Sequence, residues 1–216
     1  MAKVIALVDG FNMYHALDQR GHLGTYPYRR FKWINYRKLA ACFVPRADSI
    51  TAVKWFTAEC PWKGRAGEQK RIRHRALIRA NRSEDVEVVN GYFRPVTKTQ
   101  RLILPRGLIQ YETYEEKRSD VALAVTLASL ALQQAYDKAV LITADSDMIP
   151  AVQEAKRAHS GGMIINAVPI ERRARALANY VDQQISMRQK HLVASQFPDH
   201  LELPTGRALD RPIEWT

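Results

Sequence analysis

Short apolar strands alternate with helical stretches along most of this chain, and that alternation constrains the fold more than any other feature. Residues 4–8 (VIALV) form a β-branched run of the kind buried in a parallel sheet. Residues 33–43 read as a helix with Ile34, Leu39, Ala40 and Phe43 on one side, 50–57 as a strand, and 68–82 as a strongly basic helix. A strand follows at 86–89, then a segment at 101–113 that suits a β-hairpin around Pro105, Arg106 and Gly107. The stretch 120–134 is helical and apolar nearly all round, which suits packing on a sheet. A strand at 139–143 precedes a helix at 149–159, opened by Pro150 and closed by Gly161 and Gly162. A strand at 163–168 and a helix at 172–180 end the series. Past Gln189, Pro198, Pro204, Gly206 and Pro212 punctuate a polar tail, 190–216, expected to be loose or docked on the surface of a domain over 1–189.

Strands alternating with helices specify an α/β fold: a central, mainly parallel sheet with helices on both faces. In such sheets the ligand site lies beyond the carboxyl ends of the strands. The residues after each strand are therefore the ones to read for chemistry. The first strand runs into Asp9-Gly10-Phe11-Asn12, and the strand 139–143 into Ala144-Asp145-Ser146-Asp147. If both strands are central, Asp9, Asp145 and Asp147 converge at one edge, where their charges repel unless a cation sits among them. Oxygen ligands without His or Cys suit a hard cation, Mg²⁺ or Mn²⁺. Gly10 permits a sharp turn after the strand, and Asn12 offers an amide to orient a ligand. Glu116 and Asp120 stand at the mouth of the apolar helix, Asp120 in its first turn and Glu116 on the same face or in the preceding loop. Alone, each acid is an ordinary turn former or helix cap. Their conjunction at strand ends, in a basic chain, points to a site.

Charge supplies the partner. Lys and Arg number 33 against 22 Asp and Glu, a net +11, which favours polyanions. Residues 63–82 hold eight Lys and Arg against Glu68 alone, or +7, and Arg71, Arg75, Arg79 and Arg82 make one helical stripe beside Lys70. A second cluster, Arg29, Arg30 and Lys32, is interleaved with Tyr26, Tyr28, Phe31 and Trp33, a mixture that suits single-stranded nucleic acid. No apolar stretch approaches the roughly 20 residues of a membrane span, so no membrane partner is expected. Asp9 comes too early for a secretory leader. Cys42 and Cys60 form no CxxC; both suit small buried hydrophobes in a reducing cytoplasm. The six histidines show no ligand spacing, though His15 lies near Asp9. A haloacid dehalogenase-type phosphatase needs a second Asp where Phe11 stands, and neither GxGxxG nor GxxxxGK[ST] is present.

These motifs resemble the NYN domains of the PIN-like nuclease group. Asp9-Gly10-Phe11-Asn12 is similar to their D-G-x-N opening, Glu116-Lys117 with Asp120 to E-K-x-x-D, and Thr143–Pro150 (TADSDMIP) to S-x-D-S-D-F-x-P. Residues 176–182 are similar to the terminal L-x-x-x-A-D-x-F pattern, with Asn179 and Tyr180 departing from it. Met148 replaces the usual Phe, and Arg118-Ser119 fills a slot where Gly-Val is common. The resemblance spans residues 3–187 and implies a PIN-like, Rossmann-like α/β/α sandwich. It implies a Mg²⁺- or Mn²⁺-dependent ribonuclease, an endonuclease rather than an exonuclease, with Asp9, Asp120, Asp145 and Asp147 as metal-binding or catalytic acids. Asn12, Ser146 and Glu116 are implied as supporting groups, RNA (or single-stranded DNA) as the partner, and a homodimer is compatible. A non-catalytic RNA- or DNA-binding module that keeps the fold is the rival reading.

Overall fold

The computed structural model describes residues 1–21, 24–59, 61–102 and 106–216. Along the chain come β1 (Lys3–Asp9), α1 (Gly10–Leu17), α2 (Tyr36–Ala41), β2 (Ser49–Thr57), α3 (Gly64–Arg82) and β3 (Val86–Asn90). Next are β4 (Tyr92–Leu102), β5 (Gly107–Lys117), α4 (Ser119–Leu132), β6 (Lys138–Ile142), α5 (Ile149–Ala158) and β7 (Met163–Val168). The chain ends with α6 (Arg175–Ala178), β8 (Gln183–Ser186), α7 (Gln189–Ala194), β9 (His200–Glu202) and β10 (Ala208–Asp210). Six strands form one sheet in the order β3-β2-β1-β6-β7-β8. Every neighbouring pair in it is parallel.

Side-chain alternation along the central strands builds two cores. Val4, Ala6 and Val8 of β1 and Val140 and Ile142 of β6 face α1, α2 and α3. Ile5 and Leu7, with Ala139 and Leu141, face α4, α5 and α6. Both faces are apolar, so these strands read as continuous hydrophobic runs. The result is the three-layer α/β/α sandwich expected of the PIN-like group. The chain builds outward from β1 through β2 to β3, then crosses back to lay β6 on the other side of β1. That reversal makes the carboxyl ends of β1 and β6 the topological switch point.

Several local expectations change. The helix expected at 33–43 is only Tyr36–Ala41; Asn35 caps it by accepting from the Lys38 amide at 2.9 Å, while before it Trp33 bends the chain and Ile34 makes an antiparallel bridge to Gln196. The segment 101–113 is part of a much longer hairpin, in which all of β4 pairs antiparallel with β5. Exposed polar alternation hid this ribbon, because neither face is a continuous core face. Pro105, expected in its turn, lies outside the described residues, as do His22 and Cys60. The helix expected at 172–180 is the single turn Arg175–Ala178. Cys42 is half-buried rather than buried, and its thiol donates to the Lys38 carbonyl. In α4 Leu123, Leu127 and Ala131 are buried in the core and Ala122, Ala124 and Leu130 pack partly buried against it, while Val121, Val125 and Leu132 are exposed. No helix among the described residues is long and apolar enough to cross a membrane.

Residues beyond Gln189 are docked rather than loose. Leu192, Phe197, Leu209 and Trp215 join the core formed with α1, α2 and α3. Trp33 is their anchor: its indole N–H donates to the Pro198 carbonyl at 2.8 Å, and its ring meets Phe197 and Trp215 at centroid distances of 5.5 and 6.4 Å. Proline and glycine shape this segment without removing it from the core. Phe197→Ala is expected to lower the unfolding free energy by about 3–5 kcal/mol in urea denaturation. Leu108→Ala, on the exposed face of the hairpin, should change it by less than about 0.5 kcal/mol.

Candidate active site

Asp9 ends β1 with 5% of its surface exposed. Burying a carboxylate is costly unless donors replace water, and three donors do so here. The Asn12 backbone amide donates to one oxygen at 2.9 Å. The Asn12 side-chain amide and the Thr143 hydroxyl each donate to the other oxygen at 2.7 Å. Burial still dominates, so the Asp9 pKa stands above the ordinary carboxylate range, and the nearby Asp145 charge adds to the rise. Asn12 also accepts from the Ala144 amide at 3.3 Å, and Thr143 accepts from the Asp145 amide at 3.1 Å. These bonds tie the end of β1 to the end of β6.

Gly10 is required for a different reason than turning. A Cβ there would stand 2.4 Å from the Phe56 carbonyl oxygen and 2.5 Å from the Trp55 indole nitrogen. Only glycine lets α1 start this close to β2. Asp145 accepts from the Asp147 amide at 2.9 Å and opens a short 3-10 turn, Ser146–Met148. The turn leaves Ser146 and Asp147 exposed.

Glu116 lies on neither a helix face nor a loop; it is near the end of β5, directly across the hairpin from Phe93. Its carboxylate accepts from the Ser119 amide at 3.1 Å and from the Ser119 hydroxyl, so it caps α4. Arg118 precedes α4 at a φ of 85°, in the left-handed region that glycine adopts freely. That is the slot in which the resembling family commonly has Gly. Here Arg118 lays its guanidinium 4.7 Å from the Tyr92 ring centroid instead. Asp120, in the first turn of α4, has its pKa raised to about 6, first by surrounding protein that displaces water and then by Asp9, Glu116, Asp145 and Asp147.

One cavity of about 410 Å³ gathers this chemistry: Asp9, Asn12, Glu116, Asp120 and Asp145 line it with Phe11, His15 and Arg172. Asp147 and Ser146 do not line it; Asp147 acts on Asp120 through its charge. Burial and the Arg172 charge hold His15 below its ordinary pKa, so it is neutral at pH 7. Among the described residues no three acids, histidines or cysteines are placed to hold a metal ion together. The donor chemistry nevertheless fits Mg²⁺ or Mn²⁺. The ligands are oxygens, two have raised pKa values that a cation would offset, and Mg²⁺ binds through one or two carboxylates while keeping several waters.

The predicted basic residues divide. Arg29, Lys32 and Lys70 line a second, larger cavity beside the acids, and so does Arg73, which the sequence reading did not select. Arg29 and Lys32 are both paired with Asp18, at 2.9 and 2.6 Å, and burial lowers the Lys32 pKa to about 8. Arg71 is paired with Glu68, Arg75 with Glu59 and Arg73 with Glu214. Arg30, Arg79 and Arg82 are exposed. Thr143, which holds Asp9, and Arg172, on the cavity wall, are the other candidate positions that sequence reasoning passed over. Thr143 opens the quoted TADSD stretch, which was its signal; Arg172 carried none.

Protonated Asp120 is favoured by folding, because its folded pKa of about 6 lies above the ordinary 3.8. Its ionisation therefore costs stability as pH rises through that interval. The melting temperature of metal-free Asp120→Asn should exceed that of the parent at about pH 7 and match it near pH 4. An unchanged difference across this range would contradict the electrostatic account.

A family model for the NYN domain matches residues 3–188. A curated relative, 6-hydroxy-3-succinoylpyridine 3-monooxygenase HspA from Pseudomonas putida, is 25% identical over a 240-residue alignment spanning 96% of this chain and 73% of the relative. A solved structure of a protein of unknown function from Vibrio parahaemolyticus superposes with a TM-score of 0.51 at 13% identity, covering 87% of this chain and 93% of that one. That second likeness speaks for the fold alone.

Proposed function

This chain belongs to the NYN domain family, a PIN-like nuclease group, and from that premise we propose that it hydrolyses phosphodiester bonds of RNA with a divalent cation held by its acids. The observation that carries the reading is the single cavity at the switch point in which Asp9, Asp120, Asp145 and Glu116 meet Arg172. The activity in the Pseudomonas relative's name, a monooxygenase of a substituted pyridine, is a different reaction class. The acids at the strand ends favour phosphodiester hydrolysis for this chain.

One or two of Asp9, Asp145 and Asp120 would hold Mg²⁺ or Mn²⁺ directly, and the cation would keep waters in its other positions. When bound, the cation lowers the pKa of water and offsets charge on the phosphate. The chain's own residues supply orientation. Asn12 and Thr143 fix the Asp9 carboxylate from behind, which limits its rotation. Arg172 offers a fork of donors to a phosphate oxygen on the wall of the same cavity. Neutral His15 is placed to exchange a proton with water or with the leaving oxygen. Asp147, exposed beside the cavity, is the remaining candidate to position the attacking water. Lys70 on α3 provides the first contact for the strand, and the exposed Arg30, Arg79 and Arg82 extend it.

Asp9→Asn and Asp145→Asn should each abolish Mn²⁺-dependent cleavage of labelled single-stranded RNA while circular dichroism stays unchanged. Mg²⁺ or Mn²⁺ should raise the melting temperature of the parent protein and not that of Asp9→Asn. Single-stranded DNA and duplexes run in parallel with EDTA controls. Full activity in either variant would remove these acids from the mechanism. RNA binding without metal-dependent cutting would assign the non-catalytic module instead. Lys70→Ala should reduce the slope of log affinity against log salt by about one.

A further inference from the structure

Beside the acidic cavity lies a larger one of about 600 Å³, within the range that encloses small organic ligands. The two share Phe11, His15 and Glu116, so they meet at a common wall. Phe11 begins a run of rings that continues along the larger cavity. Phe11 meets Phe93 edge-on at a centroid distance of 5.7 Å, Phe93 meets Trp62 at 5.6 Å, and Trp62 meets Tyr114 at 6.3 Å. These rings come from α1, from the segment before α3, and from both strands of the hairpin. Phe93 and Glu116 are opposite each other in the hairpin, so one rung carries a ring and a carboxylate to the junction of the two cavities.

Cations in the larger cavity are arranged unevenly. Arg29 and Lys32 are both paired with Asp18, and Arg73 with Glu214. Lys70 is exposed and has no acid partner among the described residues; its ammonium stands 4.9 Å from the Trp62 ring centroid. Trp62 itself is 44% exposed, with ring surface left for a ligand. The interior therefore suits a neutral flat ring, and the rim suits an anion. A small aromatic acid would carry its charge into an interior whose cations are already committed. A nucleotide places a neutral base inside and its phosphate at the rim.

We propose that this cavity is a base pocket, which takes one unstacked nucleobase of single-stranded RNA against the Trp62–Phe93 wall and sets its phosphate beside Lys70. The pocket rests on the nuclease reading, since the scissile bond then lies in the adjoining acidic cavity. Aromatic stacking and a partly desolvated cation supply the recognition.

Isothermal titration of the 216-residue chain in EDTA tests the pocket with the four 5′-mononucleotides, ribose 5-phosphate and pyridine-3-carboxylate. At least one mononucleotide should bind about tenfold or more tightly than ribose 5-phosphate, and Trp62→Ala should remove about tenfold of that affinity. Trp62→Phe should restore most of it, which separates stacking from misfolding. Lys70→Ala should weaken the mononucleotide and leave the matching nucleoside unchanged. Equal binding of ribose 5-phosphate, or full affinity in both Trp62→Ala and Phe93→Ala, would overturn the pocket. Binding of pyridine-3-carboxylate without nucleotide would overturn it in favour of a small aromatic acid. Cleavage is read separately with Mn²⁺. Nucleotide binding in a protein that cuts no RNA keeps the pocket and removes the nuclease reading; cutting without nucleotide binding removes the pocket alone.

Discussion

The buried carboxylate of Asp9, with the three hydrogen bonds that hold it, is the constraint on which the rest of the site depends. A carboxylate this enclosed must find donors inside the protein. Asn12, three residues on, gives two of them, and Thr143 reaches across from the neighbouring strand with the third. Asn12 and Thr143 then bond the amides of Ala144 and Asp145, so the same network fixes where the second acidic motif begins. Gly10 lets this happen by allowing α1 to start against the backbone of β2. Three adjacent strands are thus locked together at their carboxyl ends. The donors moderate the cost of burial without cancelling it, since the Asp9 pKa remains raised.

Charge is organised around that point in two layers. The inner layer is acidic and self-repelling; displacement of water by the surrounding protein and then this repulsion raise the Asp120 pKa to about 6. The outer layer is basic, but much of it is already engaged. Within residues 63–82, Arg71, Arg73 and Arg75 each have an acid partner, from Glu68, Glu214 and Glu59. Partly exposed ion pairs of this kind add little stability. Glu214 and Glu59 lie outside the basic run, so a net charge counted along that run overstates what a polyanion would meet.

Much of the sandwich was legible because it rests on local rules. The strands at 4–8, 139–143 and 163–168 are β-branched or apolar runs, and buried parallel strands require such runs. The long hairpin was not legible, because an exposed two-stranded ribbon carries no continuous hydrophobic face to announce its period. Its concealment displaced Glu116, which looked like a helix or loop residue and is a strand residue that caps the next helix. The packing of the tail was hidden likewise: its prolines and Gly206 left it loose or docked on the surface, while Trp33, far away in sequence, is what its aromatic residues pack against. Arg118 shows the opposite case, where the sequence departed from the resembling pattern but the backbone kept the left-handed turn.

By itself the sequence determined which acids follow strands, and hence at which end of the sheet they stand. Continuous apolar runs and the rule that ligand sites lie at the carboxyl ends of parallel strands are sufficient for that. Only the tertiary structure decided which acids share a cavity. It brought Asp9, Asp120, Asp145 and Glu116 together with Arg172 and left Asp147 and Ser146 at the surface. It also set a ring-lined cavity beside them, from residues on three separated segments. Convergence of that kind depends on hairpin register, on the fold-back of the chain ends and on long-range hydrogen bonds, and none of these leaves a periodic trace in the order of residues.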